Sequence, residues 1–167
     1  MGINNHTQIK TFSEIEEYIL PTTLLIIDLD NTLFNYGLKC AIQTDKLIEQ
    51  TKDPLQLNLL IPKINDLSGF NKLQIKAKLT NSETIFLTAR TRSQQVATRI
   101  ILSKYKIFYP VLYAGNIPKG EYLIDSNVKL DKFTKIICID DLDKNLDSII
   151  QIKDKIQVPI QTFKFTN

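Results

Sequence analysis

LLIIDLDNTLF, residues 24–34, runs four aliphatic positions straight into two aspartates one residue apart. Leu24 to Asp28 reads as a buried strand: a short aliphatic run with a β-branched pair and no helical alternation. Asp28 and Asp30 stand where that strand ends, with Thr32 just beyond. Two carboxylates this close repel each other, and burying either is costly unless something compensates. The compensation has to come from the rest of the chain.

Outward from this strand, the pattern alternates. Ser13 to Leu20 reads as a short helix, with Ser13 and Glu16 as a capping box and Pro21 after its end. Leu38 to Asn65 reads as two helices broken around Asp53-Pro54, and Ser68 to Leu79 as a third. Thr84 to Thr88 (TIFLT) is a second strand, followed by a helix over about Ser93 to Tyr105. Val111 to Tyr113 is a short strand, and Gly120 to Val128 a short helix. Lys135 to Asp140 (KIICID) is a strand, Leu142 to Ile156 a helix, and Ile160 to Phe165 the last strand. Strands alternating with helices predict an α/β fold with a parallel sheet covered by helices on both faces. The 167 residues suit a single domain over 1–167, with a small helical insertion at about 38–67 between the first two strands.

In such sheets ligands bind outside the carboxyl ends of the strands. Those ends hold Asp28 and Asp30, then Thr88 with Ala89 and Arg90, then Asp140 and Asp141; the loop after the third strand holds Lys119. Carboxylates, a hydroxyl and a lysine suit a divalent cation and a phosphoryl group. A hard cation such as Mg²⁺ wants oxygen ligands, which Asp28, Asp140 and the Asp30 backbone carbonyl can supply, with Asp141 one water further out. A carboxylate can also attack phosphorus to give an aspartyl-phosphate. That attack needs positive charge around the transferring group, from Mg²⁺ and Lys119, and a hydrogen bond from Thr88. Asp30 can protonate the leaving oxygen and later activate water. On this reading the paired aspartates are tolerable because one is metal-bound and the other can hold a proton.

DLDNT at 28–32, LTAR at 87–90, PKG at 118–120 and IDDLDKNL at 139–146 resemble the four ordered motifs of the haloacid dehalogenase (HAD) superfamily. The resemblance implies a Rossmann-like core, with Asp28 as nucleophile, Asp30 as general acid/base, Thr88 and Lys119 as the hydroxyl and lysine of the second and third motifs, and Asp140 and Asp141 as the acidic fourth. A second aspartate in the first motif resembles the phosphatase members, which implies Mg²⁺-dependent hydrolysis of phosphate monoesters. Thr32, Ala89 and Arg90 are the expected substrate contacts. Arg90 has a bland alternative as a surface ion pair. Asn31 reads as a turn residue with a backbone contact, Asn145 as a helix residue bonding its own motif loop, Cys138 as core, and Phe34, Tyr36 and Phe70 as packing or as the site entrance.

Composition excludes several other chemistries. The single histidine, His6, lies in a polar N-terminal stretch expected to be mobile, which argues against Ser-His-Asp hydrolysis or a His-ligated metal. Cys40 and Cys138 are widely spaced, so neither a disulfide framework nor a zinc site is expected. Six residues after them stand Lys46 and Lys144 rather than the arginine a cysteine phosphatase needs. A response-regulator receiver uses similar residues in a different order. DxD also marks glycosyltransferases, for which this chain is short.

A net charge of +3 gives no reason to expect a nucleic-acid partner. No apolar run is long enough for a membrane span, MGINNHT departs from an acylation signal at His6, and no export signal is visible. A cytoplasmic location is expected, with delivery by dedicated secretion machinery still open. The expected partner is a phosphorylated substrate. The small insertion leaves room for a protruding group such as phosphotyrosine on a protein. The alternatives are a metabolite or nucleotide phosphatase or phosphotransferase, and a binding module that retains the fold without catalysis.

Overall fold

A computed structural model describes residues 5–167; the first four residues of the MGINNHT opening lie outside the described residues. Its strands are β1 (Thr7–Ile9), β2 (Thr23–Ile27), β3 (Phe34–Asn35), β4 (Lys63–Ile64), β5 (Glu83–Thr88), β6 (Val111–Tyr113), β7 (Lys135–Asp140) and β8 (Ile160–Phe165). The α-helices are α1 (Ala41–Gln50), α2 (Pro54–Leu60), α3 (Leu67–Leu79), α4 (Gln95–Lys104), α5 (Lys119–Asp125), α6 (Asp143–Ile150) and α7 (Lys153–Ile156). Six strands form one sheet in the order β1-β8-β7-β2-β5-β6, every neighbouring pair parallel. This is an α/β fold, a Rossmann-like parallel sheet flanked by helices. Among the described residues no helix is long and apolar enough to cross a membrane.

The sheet is parallel because both faces of its central strands are apolar. Successive side chains of a strand point to opposite faces, and here they feed two separate cores. Leu25, Ile27, Phe86, Ile137 and Ile139 join Phe12, Ile15, Phe70 and Ile101 in one core. Leu24, Ile26, Ile85, Leu87, Ile136 and Cys138 join Leu123, Leu146 and Ile149 in the other. All five residues of β2 are buried, and each fully buried aliphatic side chain contributes about 1.5–3 kcal/mol. Register sets Ile27 between Phe86 and Ile139, so β2, β5 and β7 end level with one another.

The insertion between β2 and β5 carries α1 and α2 and is bounded by the short antiparallel pair β3–β4. Asp53 caps α2 by accepting from the Leu55 amide at 3.0 Å, with Pro54 in the first turn. Asp66 caps α3 through the Gly69 amide and also accepts from the Phe12 amide at 2.7 Å, tying the two segments together.

Several boundaries differ from the sequence reading, each for a local reason. The first helix is a 3₁₀ segment, Phe12–Tyr18, whose capping carboxylate is Glu14 rather than Glu16; it accepts from the Thr11 and Lys10 amides. The stretch 142–156 is two helices, α6 and α7, separated at Gln151 and Ile152. The 120–128 helix is α5, which begins one residue earlier and ends at Asp125.

His6 is the largest correction. Its side chain is buried, with Nδ1 2.8 Å from Thr162 Oγ1 and Nε2 3.2 Å from Asp147 Oδ1. The following strand, β1, pairs with β8 at the sheet edge and carries the imidazole in with it.

Gly120 shows how tightly α5 and α6 are set. A Cβ there would lie 2.0 Å from the Ser148 carbonyl oxygen, and the Gly120 amide donates to Ser148 Oγ at 2.9 Å. Gly120→Ala is expected to force the helices apart and destabilise the protein by about 1–3 kcal/mol. A lower urea midpoint at unchanged m-value would register it.

Candidate active site

From β2 the chain first adds β5 and β6 on one side and later β7 and β8 on the other. The crevice between β2 and β7 is therefore the topological switch point, where open α/β sheets bind ligands. Asp28 follows β2 directly, its amide donating to the Ile139 carbonyl at 2.9 Å, and Asp140 closes β7. Thr88 closes β5 next door. Lys119, the first residue of α5, extends under them from the loop after β6.

The structure brings Asp28, Lys119 and Asp140 into one buried cluster. Lys119 Nζ donates to Asp28 Oδ1 at 2.5 Å and to Asp140 Oδ2 at 2.6 Å. Such charge-assisted bonds in a low dielectric are strong. Asp140 Oδ1 also accepts from the Leu142 amide at 3.0 Å, and Asn145 Nδ2 reaches both Asp140 oxygens, at 3.0 and 3.1 Å. Asn145 thus plays the loop-bonding part expected of it, and Cys138 sits in the core.

Burial pushes the Asp28 carboxyl up to about 7; Lys119 opposes this and Asp140 adds to it. For Lys119, burial acts to lower the ammonium, but the two carboxylates outweigh it and hold it above its ordinary value. Half-buried Asp141 is pushed up to about 6 by burial and then by Asp140. One carboxylate oxygen each from Asp28, Asp140 and Asp141 lies within 4.8 Å of the others. Three converging hard oxygens fit a small divalent cation.

Asp30 is placed elsewhere. Its two oxygens accept from Arg90 Nη2 at 2.7 Å and Nε at 2.9 Å, a fork-on-fork pair. The same guanidinium donates through Nη1 to Asp45 Oδ2 at 2.9 Å and to Thr98 Oγ1 at 3.0 Å, and through Nη2 to the Tyr36 hydroxyl. Tyr36 in turn donates to Asp45 Oδ1 at 2.9 Å, and Gln94 Nε2 donates to Asp45 Oδ2 at 2.9 Å. Arg90 packs under the Phe34 and Tyr36 rings, its guanidinium carbon 5.3 and 5.7 Å from their centroids.

Arg90 is therefore no surface ion pair; it is 2% exposed. Asp30 keeps an exposed side, its side chain 31% accessible, so it can exchange a proton while Arg90 stays bound. The repulsion posed by DLD is relieved by two separate cations, Lys119 for Asp28 and Arg90 for Asp30.

The remaining residues divide. Thr88 Oγ1 is buried and accepts from the Arg90 amide at 3.1 Å, which leaves the hydroxyl hydrogen to donate elsewhere. Thr32 is buried, and its Oγ1 has no hydrogen-bond partner among the described residues, a state that ordinarily costs about 1–3 kcal/mol. Asn31 takes a left-handed turn conformation, φ 63°, and its amide donates to the Phe34 carbonyl. Phe34, Tyr36 and Phe70 are packing residues rather than an entrance. Ala89 lines a cavity of about 410 Å³ together with Asn116, Lys119, Leu142, Lys144 and Asn145. Asp45 and the Tyr36 hydroxyl escaped the sequence reading. The LTAR motif pointed to Arg90, but its second carboxylate comes from α1 inside the insertion, and no local pattern marks it.

No protein-family profile and no curated protein sequence matches this chain. Among solved structures it is similar to a chain of a Pnkp1/Rnl/Hen1 complex, at 20% identity and a TM-score of 0.57. It is also similar to a chain of the Pnkp1/Rnl/Hen1 RNA repair complex, at 20% identity and a TM-score of 0.58. Each superposition covers 89% of this chain but 47% and 44% of the neighbours, so this chain spans under half the length of the structures it matches. At that identity the likeness is one of fold.

Proposed function

We propose that this chain is a Mg²⁺-dependent phosphomonoesterase of the HAD type, working through an aspartyl-phosphate. The observation that carries the reading is the convergence of Asp28, Lys119 and Asp140 at the switch point of the sheet. A recessed carboxylate beside a recessed ammonium suits attack on a phosphate dianion: the carboxylate supplies the electron pair and the cation offsets charge on the transferring oxygens.

An Asp28 oxygen forms a bond to phosphorus as the bond to the leaving oxygen breaks, and Asp30 delivers the proton that oxygen needs. Water then attacks the acyl phosphate, giving its proton to Asp30; phosphate leaves and Asp28 is restored. Lys119 stays charged because Asp28 and Asp140 hold its proton in the resting state, and Asp140 with the bound phosphoryl oxygens does so in the acyl phosphate. The Thr88 hydroxyl donates to a phosphoryl oxygen, and Thr32, whose hydroxyl has no partner among the described residues, is the second hydroxyl assigned to the substrate. Asp28, Asp140 and the Asp30 carbonyl would hold Mg²⁺, with Asp141 acting through water. Bound there, the ion would neutralise phosphoryl charge and the mutual repulsion of these carboxylates.

The test is phosphate release from p-nitrophenyl phosphate after chelation and after Mg²⁺ is restored. Chelation is expected to remove turnover and lower the thermal midpoint, and Mg²⁺ to restore both, since a ligand bound only by the folded state stabilises it. Turnover indifferent to chelation, or its absence with every divalent ion, would overturn the reading.

A further inference from the structure

A second surface lies against the same edge of the sheet. Among the described residues β6 is an outer strand with one side unpaired. Beside it runs a groove of about 680 Å³ lined by Arg92, Arg99, Phe108, Tyr109, Tyr113 and Tyr122 among others, with no carboxylate in its lining among the described residues. Phe108 is 78% exposed, and Arg92 and Arg99 are exposed as well. A large aromatic ring standing in solvent in a groove also lined by two arginines asks for an occupant.

The charge around the groove is one-sided. From Thr84 to Gly120 the chain contains no aspartate or glutamate, while Arg90, Arg92, Arg99, Lys104, Lys106 and Lys119 all fall in that stretch. Arg90 and Lys119 are buried in ion pairs. Arg92 and Arg99 line the groove, whereas Lys104 faces Asn58 and Lys106 lies outside the lining; acidic residues elsewhere bring the whole chain down to +3. A near-neutral total therefore conceals a local positive field, and it is the local field that attracts an anion.

One end of the groove lies one strand away from the proposed active site. Tyr113, at the carboxyl end of β6, pairs in register with Thr88. Arg92 lies two residues beyond Arg90, and the Gly115 amide donates to the Arg90 carbonyl. A ligand lying in the groove would enter the site from the Thr88 side.

We propose that this groove is the docking track for a single-stranded polynucleotide whose terminal phosphomonoester enters the site at Asp28. The proposal rests on the phosphatase reading and names its substrate class. The exposed Phe108 ring offers a stacking face to a base, and the Arg92 and Arg99 guanidinium groups match the phosphates that link bases. A phosphotyrosine peptide presents one ring and one dianion, and its other side chains have no use for two further arginines beside an exposed ring.

The test uses fluorescence anisotropy with a dye-labelled oligouridylate of about ten nucleotides, carrying a phosphate at the end away from the dye. The wild-type protein should bind it, with affinity falling steeply as salt rises. Arg99→Glu should weaken binding about tenfold or more and flatten the salt dependence by about one contact. Phe108→Ala should weaken it about fivefold or more. Both side chains are exposed, so melts should match wild type, and turnover of p-nitrophenyl phosphate should be unchanged.

Turnover of that small substrate without oligonucleotide binding, or binding that neither substitution weakens, overturns the groove and leaves the phosphatase standing. So does a phosphotyrosine peptide that binds more tightly with the same sensitivity to Arg99 and Phe108. Binding that both substitutions weaken, in a protein without turnover, supports the groove and overturns the phosphatase reading.

Discussion

Asp28→Asn is expected to lower turnover of p-nitrophenyl phosphate by about four orders of magnitude or more, while the protein stays folded. The amide has nearly the same shape, so the contact with Lys119 and the end of β2 survive, but it carries no anionic oxygen to form the acyl phosphate. Lys119 keeps Asp140 as its charged partner.

Stability should move the opposite way at neutral pH. In the metal-free protein the Asp28 carboxyl is raised from 3.8 to about 7, burial being the main cause. A group that holds its proton more tightly when folded adds stability that is full below its unfolded value and is lost as pH rises through the folded value. With chelator present, the wild-type thermal midpoint should therefore fall relative to Asp28→Asn between about pH 4 and pH 7. Asp141 is shifted the same way in both proteins and cancels in the difference. Turnover of the variant within tenfold of wild type would remove Asp28 from the nucleophile's role.

Arg90→Met is expected to cost the fold about 3–5 kcal/mol, because it strands a buried carboxylate rather than merely deleting a contact. Asp45 is 2% exposed, burial already raises its carboxyl, and Arg90 is the cation that opposes this. For a domain of this size the loss corresponds to roughly 10 °C in thermal midpoint.

Arg90→Lys should recover only part of that, since a single ammonium cannot reproduce the fork that holds both Asp30 oxygens while also reaching Asp45. The double variant Arg90→Met with Asp45→Leu should be more stable than Arg90→Met alone, because the stranded charge is gone. If Arg90→Met melts within a degree or two of wild type, the network contributes little and water must reach Asp45. Turnover in Arg90→Lys should fall more than stability does, as Asp30 loses the support that aims it.

The parts of the architecture that were legible in the chain are those whose signal is local and dense. TLLII and KIICID are aliphatic runs that no amphipathic helix would carry, and each delivers an aspartate to the same edge. Lys119 was found through its place in the motif order and its position after β6. What was not legible depends on partners distant in sequence. β1 is three residues in a polar setting and exists because β8 offers it an edge. The two-residue strands β3 and β4 make sense only as the neck of the insertion. His6 has no local reason to be buried; Thr162 and Asp147 supply one from the far end of the chain. Arg90 could be located but not paired. The acid-free stretch around β6 was visible throughout, but total charge averages it away.

The strand order also dictates a history. β2, the most apolar strand, is flanked by β5 on one side and by β7 on the other. A chain emerging from the ribosome amino end first can cover the β5 side early, yet the other edge of β2 stays bare until β7 has been made. During that interval the nascent protein presents an unsatisfied, aliphatic ladder to its surroundings, the kind of surface that chaperones bind and that aggregates grow from. Slow, long-range closure of this kind is intrinsic to the topology. Because the same closure brings Asp140 beside Asp28, a truncated or half-made chain cannot assemble the reactive centre before β7 has joined the sheet.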